Sequence, residues 1–340
     1  NPISSIFYPA NIIFLIKDSN YAAIIYLYLH IALAGVSTFF LARSFYLSKP
    51  ASVAAAIFYA LSFKMIVHLE AGHLTMIAAF SYFPFSFLSL RNFLSGLNFK
   101  WLIIEAFSLT FMFFTYATIF YYSVIFLIFY WIYHQLNFKL NHILSISIIK
   151  KQLPMIILFV TTLGLSSIVL FPQLEFVSLS TRSNLKLEDI AVPLWNIKMF
   201  TQSLLFPYKI LTDLNHEAFL YLGAVPTLLA TLGFLKLRAS QKAILILFGS
   251  LALLFVAGTS TPLFSLAYDY VPLLKYSRVT TRFWFIIALI AALLSAQAIN
   301  NFKLKRLTLF LILFFLIESA VIFYRRIDKI PSLNFKSESL

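Results

Sequence analysis

Long apolar runs alternate with short polar breaks along this chain, and that pattern sets its elements. An aromatic opening, Ile3–Ile16, is interrupted by Pro9 and is too short to span a bilayer, so an interfacial segment is expected there. Ten candidate spans follow, over residues 19–42, 50–67, 74–90, 101–116, 118–134, 153–170, 218–235, 242–258, 282–299 and 306–324. None shows the period-two alternation of a membrane barrel, so helices are the predicted element. Trp101–Tyr133 read as one helix would reach ~50 Å against a ~30 Å hydrocarbon core. A hairpin near Tyr116-Ala117-Thr118 is predicted instead. The pattern as a whole predicts an all-α fold, a polytopic transmembrane helix bundle of about ten spans over 19–324. It is preceded by an interfacial segment, 1–18, and followed by a tail, 325–340.

Composition agrees. The chain is 61% hydrophobic and 11% charged, with a mean hydropathy of +0.90, whereas a soluble domain carries about 25% charged residues. Cysteine is absent, which excludes disulfides, thiolate zinc sites and cysteine nucleophiles.

The net charge of +14 matters by its placement. Arg43 and Lys49; Arg91 and Lys100; Lys139, Lys150 and Lys151; Lys236, Arg238 and Lys242; and Lys303, Lys305 and Arg306 fall in alternate short connections. Together they are half of the 26 basic residues. The opposite connections hold Asp18, Glu70, Glu175, Glu188, Asp189, Asp213, Glu217 and Asp269, and the tail adds Asp328 and Glu338. The positive-inside rule makes the basic loops cytoplasmic. A multi-pass protein of the cytoplasmic membrane is expected, with the opening segment, the tail after Tyr324 and the long loops on the non-cytoplasmic side. Nucleic acid is not an expected partner, because short connecting loops offer no continuous basic face. Membrane lipids are.

Two outer loops, 171–217 and 259–281, are long enough to carry function. Within the first, Pro193–Phe206 has a proline start and a mixed apolar face, which predicts a helix lying along the interface. No internal repeat is evident, so the inverted halves of many transporters are not seen.

Polar groups are rare enough to weigh singly. His68, Glu70 and His73 form a polar interruption that could ligate a metal, line a substrate cavity or cap a loop. The histidines are five apart, about 140° around a helix, which argues against a zincin-like helical metal site; no metal residues are assigned. Arg278 and Arg282 are four apart and share a face at a helix start, where with Lys275 they could hold a phosphate or snorkel to lipid headgroups. His30 falls near the middle of the first span, where a hydrogen bond to a neighbouring helix is the simpler role. Lys64, one turn before His68, can snorkel or join that cluster. Glu105 and Glu318 sit near the ends of apolar segments, where water or a basic partner is expected.

Several short stretches, in order along the chain, resemble one family. They are Asn1-Pro2 with Tyr8-Pro9-Ala10-Asn11, His30 with Ala34-Gly35, and His68 with Gly72-His73 followed by Phe83-Pro84. Pro172, Glu175 and Ser180-Thr181-Arg182 come next, then Tyr221-Leu222-Gly223, Thr261-Pro262-Leu263 and Arg278 with Arg282-Phe283. Together they resemble the YfhO-type bacterial membrane proteins, which are GT-C-like and related to polyprenyl-phosphate-sugar glycosyltransferases. The resemblance implies a GT-C-like bundle with short interfacial helices in its outer loops. It also implies transfer of a sugar from a polyprenyl-phosphate-linked donor to a cell-envelope glycan or lipid acceptor on the outer face.

The catalytic carboxylate of such enzymes sits in the first outer loop. Here that loop is expected upstream of Asn1, so the base is not named and the chain reads as a fragment at both ends. His68, Glu70, His73, Glu175, Arg182, Glu217, Arg278 and Arg282 are the candidate substrate-binding residues. The cofactor is unassigned, with a divalent metal as one candidate. A transporter or flippase of an envelope lipid and a non-catalytic membrane subunit are the competing readings.

Overall fold

The structure is a computed structural model and describes residues 5–16, 19–139, 147–179, 197–205, 216–271, 274 and 279–327. Among these, every regular element is helical. The chain opens with a 3-10 turn, Pro9–Ile12, and the short α1, Ile13–Ile16. Then come α2 (Ser19–Ser44), α3 (Lys49–Ala60), α4 (Phe63–Glu70), α5 (Leu74–Gly96), α6 (Phe99–Thr115), α7 (Ala117–Lys139) and α8 (Ser147–Ser178). After α9 (Ile197–Leu205) follow α10 (Ala224–Leu235), α11 (Ala239–Val256), α12 (Pro262–Tyr270), α13 (Trp284–Asn301) and α14 (Thr308–Ile327).

Among the described residues, eight segments are long and apolar enough to cross a membrane, counting α3 and α4 together as Lys49–Glu70. The other two predicted spans are the shorter helices. α6, with 17 residues, is one longer than its predicted 101–116, whereas α10 has only 12, about 18 Å of helix. The predicted span 218–235 is apolar throughout, yet its first third does not coil. Gly223 has φ 98, a left-handed value that stops a helix from forming through it. The preceding backbone is held by side chains instead: the Trp284 indole N–H donates to Leu220 O at 2.7 Å. The Tyr221 hydroxyl donates to Glu318. Glu318 also accepts from Ala224 N at 3.1 Å, which puts it at the positive N-terminus of α10.

The predicted hairpin is present. Tyr116, at φ −158 and ψ 101, breaks the run between α6 and α7. A helix is present within the predicted stretch, α9; residues 193–196 and Phe206 lie outside the described residues.

The bundle has two chemically different ends. At one, Arg91 Nε donates to Ser44 Oγ at 2.9 Å, Ser48 N donates to Asn300 Oδ1 at 3.3 Å, and Lys236 Nζ lies 5.3 Å from the Phe302 ring. The basic connections around residues 43–49, 91, 236 and 300–303 therefore gather there. At the other end, Tyr122 donates to Val279 O at 3.2 Å and Thr280 to Val256 O at 3.1 Å. The segregation read from alternate loops is thus a spatial one.

Close helix approach uses small residues, as expected where lipid removes the hydrophobic drive between spans. Ala34, Ala51, Ala54 and Ala55 are fully buried in α2 and α3. A Cβ on Gly233 would lie 2.0 Å from Leu294 O, so α10 meets α13 backbone to backbone. Leu309, Phe310, Leu313, Phe314 and Ile317 of α14 are exposed, a stripe suited to lipid. Two buried polar groups bond inside the bundle. Glu105 Oε1 accepts from Ser86 Oγ at 2.6 Å, while Oε2 has no hydrogen bond. His30 bonds Tyr8 Oη at 2.5 Å through Nε2 and Tyr26 O at 2.6 Å through Nδ1.

Candidate functional site

The site is built where the second span breaks. Leu61 and Ser62 leave helical geometry, and α4 restarts as a short helix carrying Lys64 and His68 on one face, one turn apart. α4 ends at Glu70, and Gly72 takes φ 71, open only to glycine at low cost. That turn lets His73 N donate to His68 O at 2.9 Å and brings the two imidazoles together, Nδ1 to Nδ1 at 3.2 Å. The helical-spacing argument against a metal site therefore does not apply, since the helix ends at Glu70, between these histidines.

Glu217 is the centre. It lies in the 3-10 turn His216–Ala218, buried, at the return of the long loop before α10. Arg282, in the 3-10 turn Thr280–Phe283 that leads into α13, donates to Glu217 Oε1 from Nε at 2.8 Å and from Nη2 at 2.5 Å. Its Nη1 donates to the Tyr116 hydroxyl at the α6–α7 hairpin. Lys64 is fully buried and its Nζ donates to Glu217 O at 3.3 Å. His68 Nε2 stands 3.8 Å from Glu217 Oε2, and His216 Nε2 3.6 Å from Oε1.

Burial alone would raise the Glu217 carboxyl. The hydrogen bond from His216 and the nearby Lys64, His68 and Arg282 outweigh it and hold the group well below the usual carboxylate range. Burial, His216 and Arg282 together lower His73 below the usual imidazole range. The result is an ionised carboxylate fixed between two cations and rimmed by three imidazoles. One donor atom from each of His68, His73, His216 and Glu217 can be chosen so that all lie within 4.8 Å of one another, a set able to hold a metal ion.

Of the residues expected from sequence, His68, His73, Glu217 and Arg282 converge, and Lys64 joins them. Glu70 is half-buried at the end of α4 and is not among the clustered donors. Glu175 is exposed near the C-terminus of α8. Arg182 and Arg278 lie outside the described residues. Sequence reasoning missed His216 and Tyr116. For His216 a signal existed: it adjoins Glu217 in a chain with only six histidines. A cavity of about 520 Å³ lined by Phe45, Phe87, Tyr130, Lys236 and Arg238 opens at the other end of the bundle, and no cluster residue lines it.

Fold and site together define a polytopic helical membrane protein with a charged, histidine-rich cluster at one end of its bundle. The family model for the bacterial membrane protein YfhO matches residues 3–338, and the chain belongs to that family. No curated protein and no solved structure matches it.

Proposed function

We propose that this membrane protein of the cell envelope transfers a sugar from a polyprenyl-phosphate donor to an envelope acceptor, with the Glu217 cluster forming one wall of the site. The observation that carries the reading is the position of the cluster. It lies at the end of the bundle opposite the basic connections, not at mid-bundle where a transporter would place its polar groups. By the positive-inside rule that end is the non-cytoplasmic one, and the donor's phosphate would lie at that surface.

The roles divide by charge. A carboxylate held ionised this firmly is a weak general base, so Glu217 serves as the anchor that positions Arg282. The base that assists the acceptor hydroxyl is then a different carboxylate. Arg282 has its fork on Glu217 and Tyr116, which supports a role in fixing the wall. Arg278, four residues earlier, is the candidate for direct contact with the departing lipid phosphate, with Arg182 as a second.

The test is transfer of labelled sugar from a polyprenyl-phosphate donor by membranes containing the intact protein. Glu217→Gln and Arg278→Ala are each expected to lower transfer by about 100-fold while the protein inserts normally. Wild-type transfer in both variants would sink the reading.

A further inference from the structure

We infer that His68, His73, His216 and Glu217 bind one transition-metal dication of the zinc class. The inference is separate from the transferase reading, since it concerns metal binding and is tested without any sugar donor.

Geometry is the first support. Zinc sits about 2.0–2.1 Å from imidazole nitrogen and carboxylate oxygen, so neighbouring tetrahedral donors lie about 3.4 Å apart. With one donor atom taken from each residue, the four lie within 4.8 Å of one another, and His68 Nε2 stands 3.8 Å from Glu217 Oε2. Side-chain rotations that draw the donors together would close that shell. Three of the chain's six histidines converge on this point, from segments roughly 145 residues apart in sequence.

The second support is an unmet need. His68 is 0% exposed, and its Nε2 makes no hydrogen bond although it is turned toward Glu217. A buried polar atom left so costs about 1–3 kcal/mol. If Nδ1 donates to His73, Nε2 carries the free lone pair a metal takes. Glu217 is also prepared as a ligand: Arg282 occupies Oε1 and fixes the carboxylate, as outer-shell partners do at metal centres. The His216 side chain is 28% exposed, which gives an ion a route in from that side.

Donor type selects the metal. Three imidazoles with one carboxylate suit zinc and its transition-metal neighbours, whereas magnesium and calcium take oxygen shells. Charge limits affinity. Lys64 and Arg282 set two cations against one carboxylate, so a dication is repelled and the cost of Lys64 should be visible.

The experiment uses the intact protein, purified in detergent through a tag without histidine, stripped of metal and titrated with zinc against a chromophoric chelator. One zinc per chain is expected, with magnesium unable to compete. His73→Ala and His216→Ala, both at partly exposed positions, should each weaken zinc by at least about tenfold while the protein elutes as a single folded species. Lys64→Met should tighten zinc several-fold. Absence of saturable zinc binding would overturn the inference, as would wild-type affinity in the His73→Ala, His216→Ala double variant. Unchanged affinity in a folded Lys64→Met protein would remove the ion from beside Lys64.

Discussion

Two histidine clusters sit in the same bundle, and they solve opposite problems. Around His30, Tyr8 and Tyr26 oxygens take both ring nitrogens, and Tyr82 bonds the Tyr8 hydroxyl at 2.9 Å. No ionised side chain is among those partners. The cluster fastens the opening segment onto α2 and α5, helped by Ser5 Oγ donating to Thr115 O at 3.2 Å and Asn11 Nδ2 to Ser5 O at 2.6 Å. Around His68, by contrast, a carboxylate, a guanidinium and an ammonium are packed with three imidazoles, and a buried nitrogen stays without a hydrogen bond. The neutral network is a clamp, even with the buried Tyr26 hydroxyl left without a hydrogen bond. The charged one is costly to keep in a membrane bundle.

The comparison breaks most violently at Arg282. Arg282→Met would leave Glu217 buried beside a partner of lost charge, a change that typically costs about 3–5 kcal/mol. Thermal unfolding in detergent should register it. Removing both charges, in Arg282→Met with Glu217→Gln, should recover most of that loss, because the uncompensated charge is the main penalty. If the double variant is as unstable as the single, the pair is not the unit that matters and the contrast with the His30 clamp weakens.

The clamp should respond more gently. Tyr8→Phe deletes the hydroxyl that serves both His30 and Tyr82 and strands buried polar atoms, for about 1–3 kcal/mol. The same variant should leave sugar transfer per folded molecule and zinc affinity unchanged. A fall in either at constant fold would show that the two clusters communicate.

Much of this was readable along the chain, and the parts that were not share a cause. Apolar runs and alternating basic loops are local, and they gave the helices, the Tyr116 hairpin and the two ends. The length of α10 was not local: Phe219–Leu222 is apolar enough for a span, but Trp284 and Glu318, more than sixty residues away, hold its backbone out of the helix. The site divides the same way. His68 and His73 stood out as a polar island, whereas the pairing of Glu217 with Arg282 and the arrival of His216 depend on the long loop's return. The helical-wheel argument failed at one residue, Gly72, whose turn no wheel represents.

Gly72 is therefore where the contrast can be sharpened with the least damage. A Cβ there would meet nothing within 4 Å, so Gly72→Ala carries no steric penalty. What remains is the left-handed φ of 71, which costs an L-residue about 1–2 kcal/mol, partly offset by the stiffer unfolded chain. A net loss of about 1 kcal/mol is expected, less than for Tyr8→Phe. Yet the turn sets the 3.2 Å approach of His73 to His68, so relaxing it should weaken zinc about tenfold. Tyr8→Phe should do the reverse, with a larger stability loss and no change in zinc. The two measurements on the two variants cross over only if one cluster holds the fold and the other holds an ion. A Gly72→Ala protein with full zinc affinity would mean the loop positions His73 without that turn.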